Sequence, residues 1–388
     1  MGGFALHSSH KVMMQKHWRE YNWPLLVCVL VLLVLGALAV YSATLTAVTR
    51  NGVALSRIYP WHLVYIVVGI IAMVGTTLFN YQLLSSLARP LYIVLLALLV
   101  VVLLVGQVSE GARSWLVIGT RTFQPTELAK LGTIIALAAY WQRYELHTDG
   151  WFVQLGGLLL AAVPILLVLF QPDLGSTLVM GMIWLVMAWG AGIRMSQFGL
   201  LLLVTLPLLY LAWNLDGLLD EYQKRRLLTF YYLLVDPTQV DFNDSYNVVQ
   251  ALRALGQGGI FGTGLTRGIF SQGNYVPVQH TDFIFAVIGE EMGFAGGVVL
   301  IIFQALLLWQ ALSIASQARD RFGRLIALGI FGMFLCHLLI NVGMNLSLLP
   351  VTGLPLPFIS AGGSFMVISL AAVGLLQSIA LRRQRLTF

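Results

Sequence analysis

The sequence predicts an all-α fold: a polytopic membrane helix bundle of about ten transmembrane helices, with a long extracytoplasmic loop between spans 7 and 8. Three observations predict it. Of 388 residues, 59% are hydrophobic and 10% are charged, where a soluble domain carries about 25% charged residues. The mean hydropathy is +0.85. The apolar residues gather in continuous runs near the roughly 20 residues that a helix needs to cross a bilayer. They do not alternate, which excludes the strands of a β-barrel. The composition excludes a soluble enzyme, a disordered chain and a nucleic-acid-binding domain. Cys28 and Cys336 both lie in apolar runs, so neither a disulfide framework nor a cysteine metal site is expected.

The runs fall near 24–43, 61–79, 90–107, 127–142, 151–170, 174–193, 197–215, 282–312, 322–348 and 360–381. The first follows a polar tail, 1–23, and no small-residue cleavage site follows it, so it reads as a span and not as a removed signal peptide. The fourth is short and carries charge. The eighth exceeds a simple span, so it either starts above the hydrocarbon or breaks near Gly289 or Gly293. One membrane domain thus covers 24–381, between cytoplasmic tails 1–23 and 382–388, and the long loop occupies about 216–281.

Basic residues set the orientation. With ten spans the termini share a side, and twelve Lys and Arg residues collect there, from Lys11, Lys16 and Arg19 through Arg89, Arg143 and Arg194 to Arg382, Arg383 and Arg385. The short loops opposite hold four: Arg50, Arg57, Arg113 and Arg121. Positive charge is retained inside, so both termini are expected in the cytoplasm. The net charge of +6 then reports topology and not a nucleic-acid partner. The segments 108–126, 171–173, 216–281 and 349–359 fall outside, and nearly every unusual polar motif lies in or beside them. No phosphate loop appears, and no internal repeat of the transporter kind is evident.

Glu127 and Lys130 open the fourth span in Phe123-Gln124-Pro125-Thr126-Glu127-Leu128-Ala129-Lys130. Pro125 suits a helix start and Thr126 its cap. A spacing of three places the acid and the lysine on one face as an ion pair. An intramembrane cation is costly and tends to be functional. In Gln171-Pro172-Asp173-Leu174-Gly175, Asp173 is placed to cap the next helix, with substrate or metal binding left open. The glycines of 256–282 read as a flexible outer-leaflet loop, and Gly262-Thr263-Gly264 is too weak a pattern for a nucleotide site. Asp282, in His280-Thr281-Asp282-Phe283-Ile284-Phe285-Ala286, enters the eighth span from outside. Glu290 and Glu291 are expected about 12–13 Å deeper along that helix, as neutral or paired packing residues within the bundle, with Lys130 or basic loop residues as candidate partners. Three prolines between Pro350 and Pro357 forbid a helix there, and irregular backbone at that depth must be buried or line a cavity. Gly362-Gly363-Ser364 lets the last helix approach a neighbour. His62 and His337, in apolar runs, are expected to pack or hydrogen-bond.

The Phe123–Lys130, Gln171–Gly175, His280–Ala286 and Gly362–Ser364 motifs, in this order and over the whole chain, resemble the SEDS family (shape, elongation, division and sporulation). Val351-Thr352-Gly353-Leu354-Pro355-Leu356-Pro357 is similar to its RodA branch, which serves cell elongation. The resemblance implies a peptidoglycan glycosyltransferase of the cytoplasmic (inner) membrane, polymerising lipid II at the outer face. It implies a class B penicillin-binding protein as transpeptidase partner, together with other membrane proteins of the elongation complex and membrane lipids. Asp282 matches the family's essential aspartate, and Glu127 and Lys130 its functional acid and lysine. Two positions depart from the family pattern: Val278 replaces an acid after Pro277, and Ala361 replaces the aromatic before the glycine pair. Asp282 then suits the base, with Lys130, Arg113 and Arg121 neutralising pyrophosphate. Gln124, Asp173, His280, Thr281, Ser360 and Ser364 complete the candidate substrate-binding set. No cofactor is implied with certainty, although a divalent cation, Mg or Mn, can share the pyrophosphate charge. A lipid II flippase, or a non-catalytic activator of the transpeptidase, remains an alternative.

Overall fold

The computed structural model describes residues 21–47, 55–109, 112–118, 121–147, 150–214, 221–236 and 242–383. Most of the two terminal tails, Arg50, and the side chains of Arg113 and Arg121 lie outside the described residues. The described chain is helical: α1 Trp23–Leu45, α2 Ile58–Leu78, α3 Leu83–Val105, α4 Pro125–Arg143, α5 Trp151–Leu169, α6 Leu174–Ala191 and α7 Met195–Asn214. After them come α8 Glu221–Val235, α9 Phe242–Gln257, α10 Ile269–Gln272, α11 Ile284–Glu291, α12 Gly293–Gln317, α13 Arg321–Asn345 and α14 Gly363–Leu381.

Eight of these helices are long and apolar enough to cross a membrane: α1, α2, α3, α5, α6, α12, α13 and α14. The other two expected spans correspond to α4 and α7, of 19 and 20 residues. The polar groups of α4 are tolerable because α3, α5, α6 and α13 pack around it. α13 lies against α4, α6 and α12, and α14 against α2. In α14 every residue from Ser369 to Ala380 is buried. The outer helices instead expose leucine, valine and phenylalanine, such as Val27 and Val34 on α1 and Phe152 and Leu159 on α5. That exposure suits lipid contact and would be costly in water.

Three expectations are corrected. The third span starts at Leu83 and carries Pro90 inside it. Segment 108–126 holds a three-stranded antiparallel sheet, β1 Gln107–Ser109, β2 Ala112–Ile118 and β3 Arg121–Phe123, with Leu116 opposite Phe123 and Ile118 opposite Arg121. The long segment 216–281 is not simply a loop, since it carries α8, α9 and α10. Its amphipathic periodicity explains this: Val248, Ala251 and Ala254, three apart on α9, are all buried. Ala251 and Ala254 join Phe283 and Ala286 in one small core.

The eighth span breaks at Gly293, whose φ is +69°. Only glycine adopts that left-handed conformation at little cost. Glu290 and Glu291 both lie on α11, before that break. Glu291 accepts from Ser42 Oγ at 2.6 Å, in the last turn of α1, so both acids lie near an end of the bundle. Their partners are neutral donors and not Lys130. Glu290 accepts the N–H groups of Phe270 and Ser271 at 2.7 and 2.8 Å. Glu291 accepts Thr266 N–H, Ser271 Oγ and Gln272 Nε2. The glycine segment is packed rather than loose, with the N–H groups of Thr263 and Gly264 donating to the carbonyls of Glu290 and Glu291 at 3.0 Å each. A side chain at Gly258 or Gly262 would collide with the carbonyl of Gly289 or Glu291.

Candidate active site

The start of α4 buries a charge pair. Lys130 Nζ donates to Glu127 Oε1 at 2.8 Å, and the side chains are 0% and 4% exposed. Gln124 takes the cap position, with Pro125 beginning the first turn. The expected capping role of Thr126 is therefore corrected: its hydroxyl is buried without a hydrogen-bond partner. Lys130 also lies 3.2 Å from His337 Nε2, and His337 Nδ1 lies 2.9 Å from the carbonyl of Pro355. The carbonyl can only accept, so Nδ1 carries the proton and Nε2 accepts from the ammonium. The ring of Phe365 covers both groups, 5.9 Å from the ammonium and 4.6 Å from the imidazole.

His337 starts a stripe on α13. Asn341 and Asn345 follow at intervals of four, hence on one face and about 6 Å apart along the axis. Both amides donate to the carbonyl of Asp282 at 3.0 Å. Asn341 also donates to Leu354 O at 2.8 Å, and Asn345 Oδ1 accepts the N–H of Ala286 at 3.1 Å.

The preceding two carbonyls are held as well. Thr281 O accepts Ser360 Oγ at 2.6 Å, and His280 O accepts Ala361 N–H at 2.9 Å. Three consecutive carbonyls, 280 to 282, are thus fixed by α13 and by the segment before α14. The turn they form sits just before α11. Its product is a partly exposed Asp282 carboxylate beside Gly353, where an added Cβ would stand 3.4 Å from Oδ2. Gly353 has φ +73°. The Pro350–Pro357 segment is irregular, as its prolines require, and is seated among helices. Thr352 and Leu354 pack against Gly175, and Gln304 Nε2 donates to Pro357 O at 2.8 Å.

A second polar group completes the rim. Asp173 caps α6, accepting Ser176 N–H at 2.9 Å, and its other oxygen accepts Gln124 Nε2 at 3.2 Å. Ser364, beginning α14, accepts Gln124 N–H at 3.1 Å. Gly363 lies under the Tyr65 ring, which leaves no room for a side chain there.

The candidate residues therefore sort by position. Glu127 and Lys130 form a buried charged floor, and Asp282 a partly exposed carboxylate. Gln124, Asp173 and Ser364 share one hydrogen-bonded rim. Ser360 is fully buried, with its hydroxyl occupied by Leu356 N–H and Thr281 O, so it supports the turn. The hydroxyl of Thr281 turns back to Val278 O at 3.3 Å. His280 keeps an unpartnered Nδ1, and burial pushes its imidazole down to about 4. Arg113 and Arg121 stand on β2 and β3, next to the start of α4.

Sequence reasoning gave four supporting residues, His337, Asn341, Asn345 and Arg226, no role in the site. His337 and the asparagine pair on α13 show a four-residue spacing that could have linked them. Arg226 on α8, which donates to Val351 O at 3.2 Å, has no such signal. No group of three His, Cys, Asp or Glu side chains able to cage a metal exists among the described residues. A magnesium-type ion needs only one or two carboxylates plus phosphate oxygens, and Asp282 fits that lesser role.

Residues 23–385 match the FtsW/RodA/SpoVE family model, described as a cell cycle protein. The peptidoglycan glycosyltransferase MrdB of Escherichia coli (strain K12) is 32% identical over 367 residues, 94% of each chain. Stage V sporulation protein E of Bacillus subtilis (strain 168) is 33% identical over 363 residues, 92% of this chain and 96% of that one. Among solved structures, a chain described under "Structural coordination of polymerization and crosslinking by a peptidoglycan synthase complex" aligns with TM-score 0.77 and 30% identity, covering 94% of this chain and 98% of that one. Thermus thermophilus rod shape determining protein RodA aligns with TM-score 0.64 and 29% identity over 94% and 98%.

Proposed function

The chain belongs to the FtsW/RodA/SpoVE family, and from that membership we propose how it works as a multi-pass membrane peptidoglycan glycosyltransferase. It polymerises lipid II into glycan strands at the outer face of the cytoplasmic membrane, with both termini inside, during cell elongation. The observation that carries the site assignment is the anchored turn: three fixed carbonyls present Asp282 at the end of the polar stripe that leads to Lys130.

In the reaction, a hydroxyl oxygen of the acceptor sugar bonds to the anomeric carbon of the donor. The bond from that carbon to the pyrophosphate oxygen breaks, and the pyrophosphate leaves with the electron pair. Asp282 takes the hydroxyl proton, a role that requires a fixed carboxylate open to substrate. Lys130 acts through its field: its ammonium is already bonded to Glu127 and His337 and has no exposed surface. Arg113 and Arg121 supply positive charge for the pyrophosphate, and Gln124, Asp173 and Ser364 orient the sugar. Asp282 would hold a divalent cation, which would supply additional charge neutralisation to the leaving pyrophosphate. The partner is a class B penicillin-binding protein, whose transpeptidase crosslinks the new strands. The solved relative from a synthase complex that couples polymerization to crosslinking supports this choice.

The test is glycan synthesis from lipid II by purified protein. Asp282→Asn is expected to lose at least about a hundredfold in rate while staying folded, in line with removal of a general base. Wild-type polymerisation by a folded Asp282→Asn protein would sink the assignment. Lipid II scrambling by the same vesicles, without polymer, would identify a flippase instead.

A further inference from the structure

At the end of α4 opposite Lys130, the structure opens a cavity of about 680 Å³ between α3, α4 and α5. Lys130 and Arg143 are thirteen residues apart on α4, about 20 Å along the axis, so this cavity is separate from the active site. Arg89 and Arg143 line it, together with Tyr92, Tyr140, Gln142 and Leu160. Its walls are braced. Tyr92 donates to Leu160 O at 2.7 Å and ties α3 to α5. Tyr140 donates to Val153 O at 3.1 Å and ties α4 to α5. Ser85 donates to Gln142 Oε1 at 2.9 Å and ties α3 to α4.

The two arginines are exposed and have no acid among the described residues. The nearest acid in sequence, Glu145, turns to Arg321, 4.0 Å away, which also donates to the carbonyls of Glu145 and Ala191. Arg382 is likewise spent, on Ser378, and Arg383 on Gln317. On α3 and α5 and just after α4, Leu87, Leu91, Phe152, Leu159 and Leu146 are exposed, as suits contact with lipid. A topology signal alone needs basic residues at this membrane surface, but it does not need a braced cavity with apolar walls between them.

We propose that this cavity binds an anionic glycerophospholipid of the adjacent leaflet. The phosphate sits between Arg89 and Arg143, and an acyl chain lies along the apolar wall formed by α3 and α5. Basic pockets between transmembrane helices hold anionic headgroups in this way, and the volume matches a small-molecule site. Acyl burial distinguishes this occupant from free phosphate, which would leave the apolar wall bare.

The experiment is native mass spectrometry of the delipidated full-length protein, titrated with phosphatidylglycerol, with phosphatidylethanolamine and with inorganic phosphate. The Arg89→Gln/Arg143→Gln variant is compared with wild type, and its thermal unfolding and lipid II polymerisation serve as controls for folding. One phosphatidylglycerol is expected to bind wild type about 25-fold more tightly than the variant, roughly fivefold for each basic group. Equal binding by the variant would overturn the proposal. So would equal binding of phosphatidylethanolamine, or displacement of the lipid by millimolar inorganic phosphate. If the double variant does not fold, the Arg143→Lys protein decides: retained preference for the anionic lipid supports the site, and its loss to the level of phosphatidylethanolamine refutes it.

Discussion

Replacing Glu127 and Lys130 singly and together separates what the buried pair does for the fold from what it does for the chemistry. The ion pair is 2.8 Å long and almost wholly excluded from solvent. Removing one partner of such a pair strands the other, at a cost of about 3–5 kcal/mol. Glu127→Gln and Lys130→Met should each destabilise by that amount, a large share of a total stability of about 5–15 kcal/mol. The double variant has no buried charge left. It retains two deficits, the lost donor to His337 Nε2 and the buried amide introduced at position 127, worth about 1–3 kcal/mol each. It should therefore be less destabilised than the two single variants summed, with a coupling on the order of 3 kcal/mol. Reversible denaturation in mixed micelles, followed by the fluorescence of the 10 tryptophans, gives the three values. The same proteins are then assayed on lipid II. Stability should return in the double variant and polymerisation should not, because the cation's field at the mouth is gone. Additive single effects would refute the charge pair, and wild-type turnover by the double variant would refute the electrostatic role of Lys130.

Three further outcomes follow from the anchored turn. Asn345→Ala leaves the Ala286 N–H unsatisfied and removes one of the two donors on Asp282 O; it should cost about 1–3 kcal/mol in stability and lower polymerisation by more than that loss of folded protein explains. Gly353→Ala forces a Cβ into a left-handed conformation, costing roughly 1–2 kcal/mol, and places it against Asp282 Oδ2; a rate equal to wild type in a steady-state lipid II assay would contradict the close approach of Gly353 to that carboxylate. His280 is held neutral in the folded protein, its imidazole lowered from the usual 6.5 to about 4 by burial, so the unfolded chain takes up its proton first on acidification. The stability it contributes is complete above pH 6.5 and is lost as pH falls from there toward 4, and a His280→Gln protein should show a flatter acid limb in pH-dependent unfolding.

Eight of the spans were legible because a run of some 20 apolar residues is a one-dimensional signal. Glu127 and Lys130 were legible as a pair because helical periodicity alone brings positions three apart together. What stayed hidden depended on contacts between distant segments. Glu290 and Glu291 were expected to pack neutral or paired within the bundle, with cations as candidate partners, since an acid in an apolar run demands compensation. Their compensation comes from backbone N–H groups of Thr266, Phe270 and Ser271, which no side-chain pattern records. α8 and α9 were read as loop because their mixed composition never reaches a membrane-length apolar run, although the buried positions of α9 repeat every three residues. His337 was seen as a hydrogen-bonded residue, but its two partners, 207 and 18 residues away, belong to the tertiary structure.

The placement of Asp282 also answers a problem of backbone chemistry. Within a helix every interior carbonyl is satisfied locally, but a helix would fix the carboxylate's direction to its own face. An irregular turn can aim the side chain freely, yet near a membrane each bare carbonyl is expensive. The chain resolves this by making two irregular segments complete one another. Carbonyls 280 and 281 accept from Ala361 and Ser360, carbonyl 282 accepts from Asn341 and Asn345, and Asn341 also takes the carbonyl of Leu354. Neither the His280–Asp282 turn nor the Pro350–Ser360 segment is satisfied without the other. A change in either should therefore move Asp282. Ser360→Ala, remote from the reacting atoms, orphans both Thr281 O and the Leu356 N–H at about 1–3 kcal/mol each. Its polymerisation should fall while lipid II binding persists, whereas Ser360→Thr, which keeps the hydroxyl, should recover part of the rate. Equal rates for Ser360→Ala and wild type would show that Asp282 holds its position without this exchange of bonds.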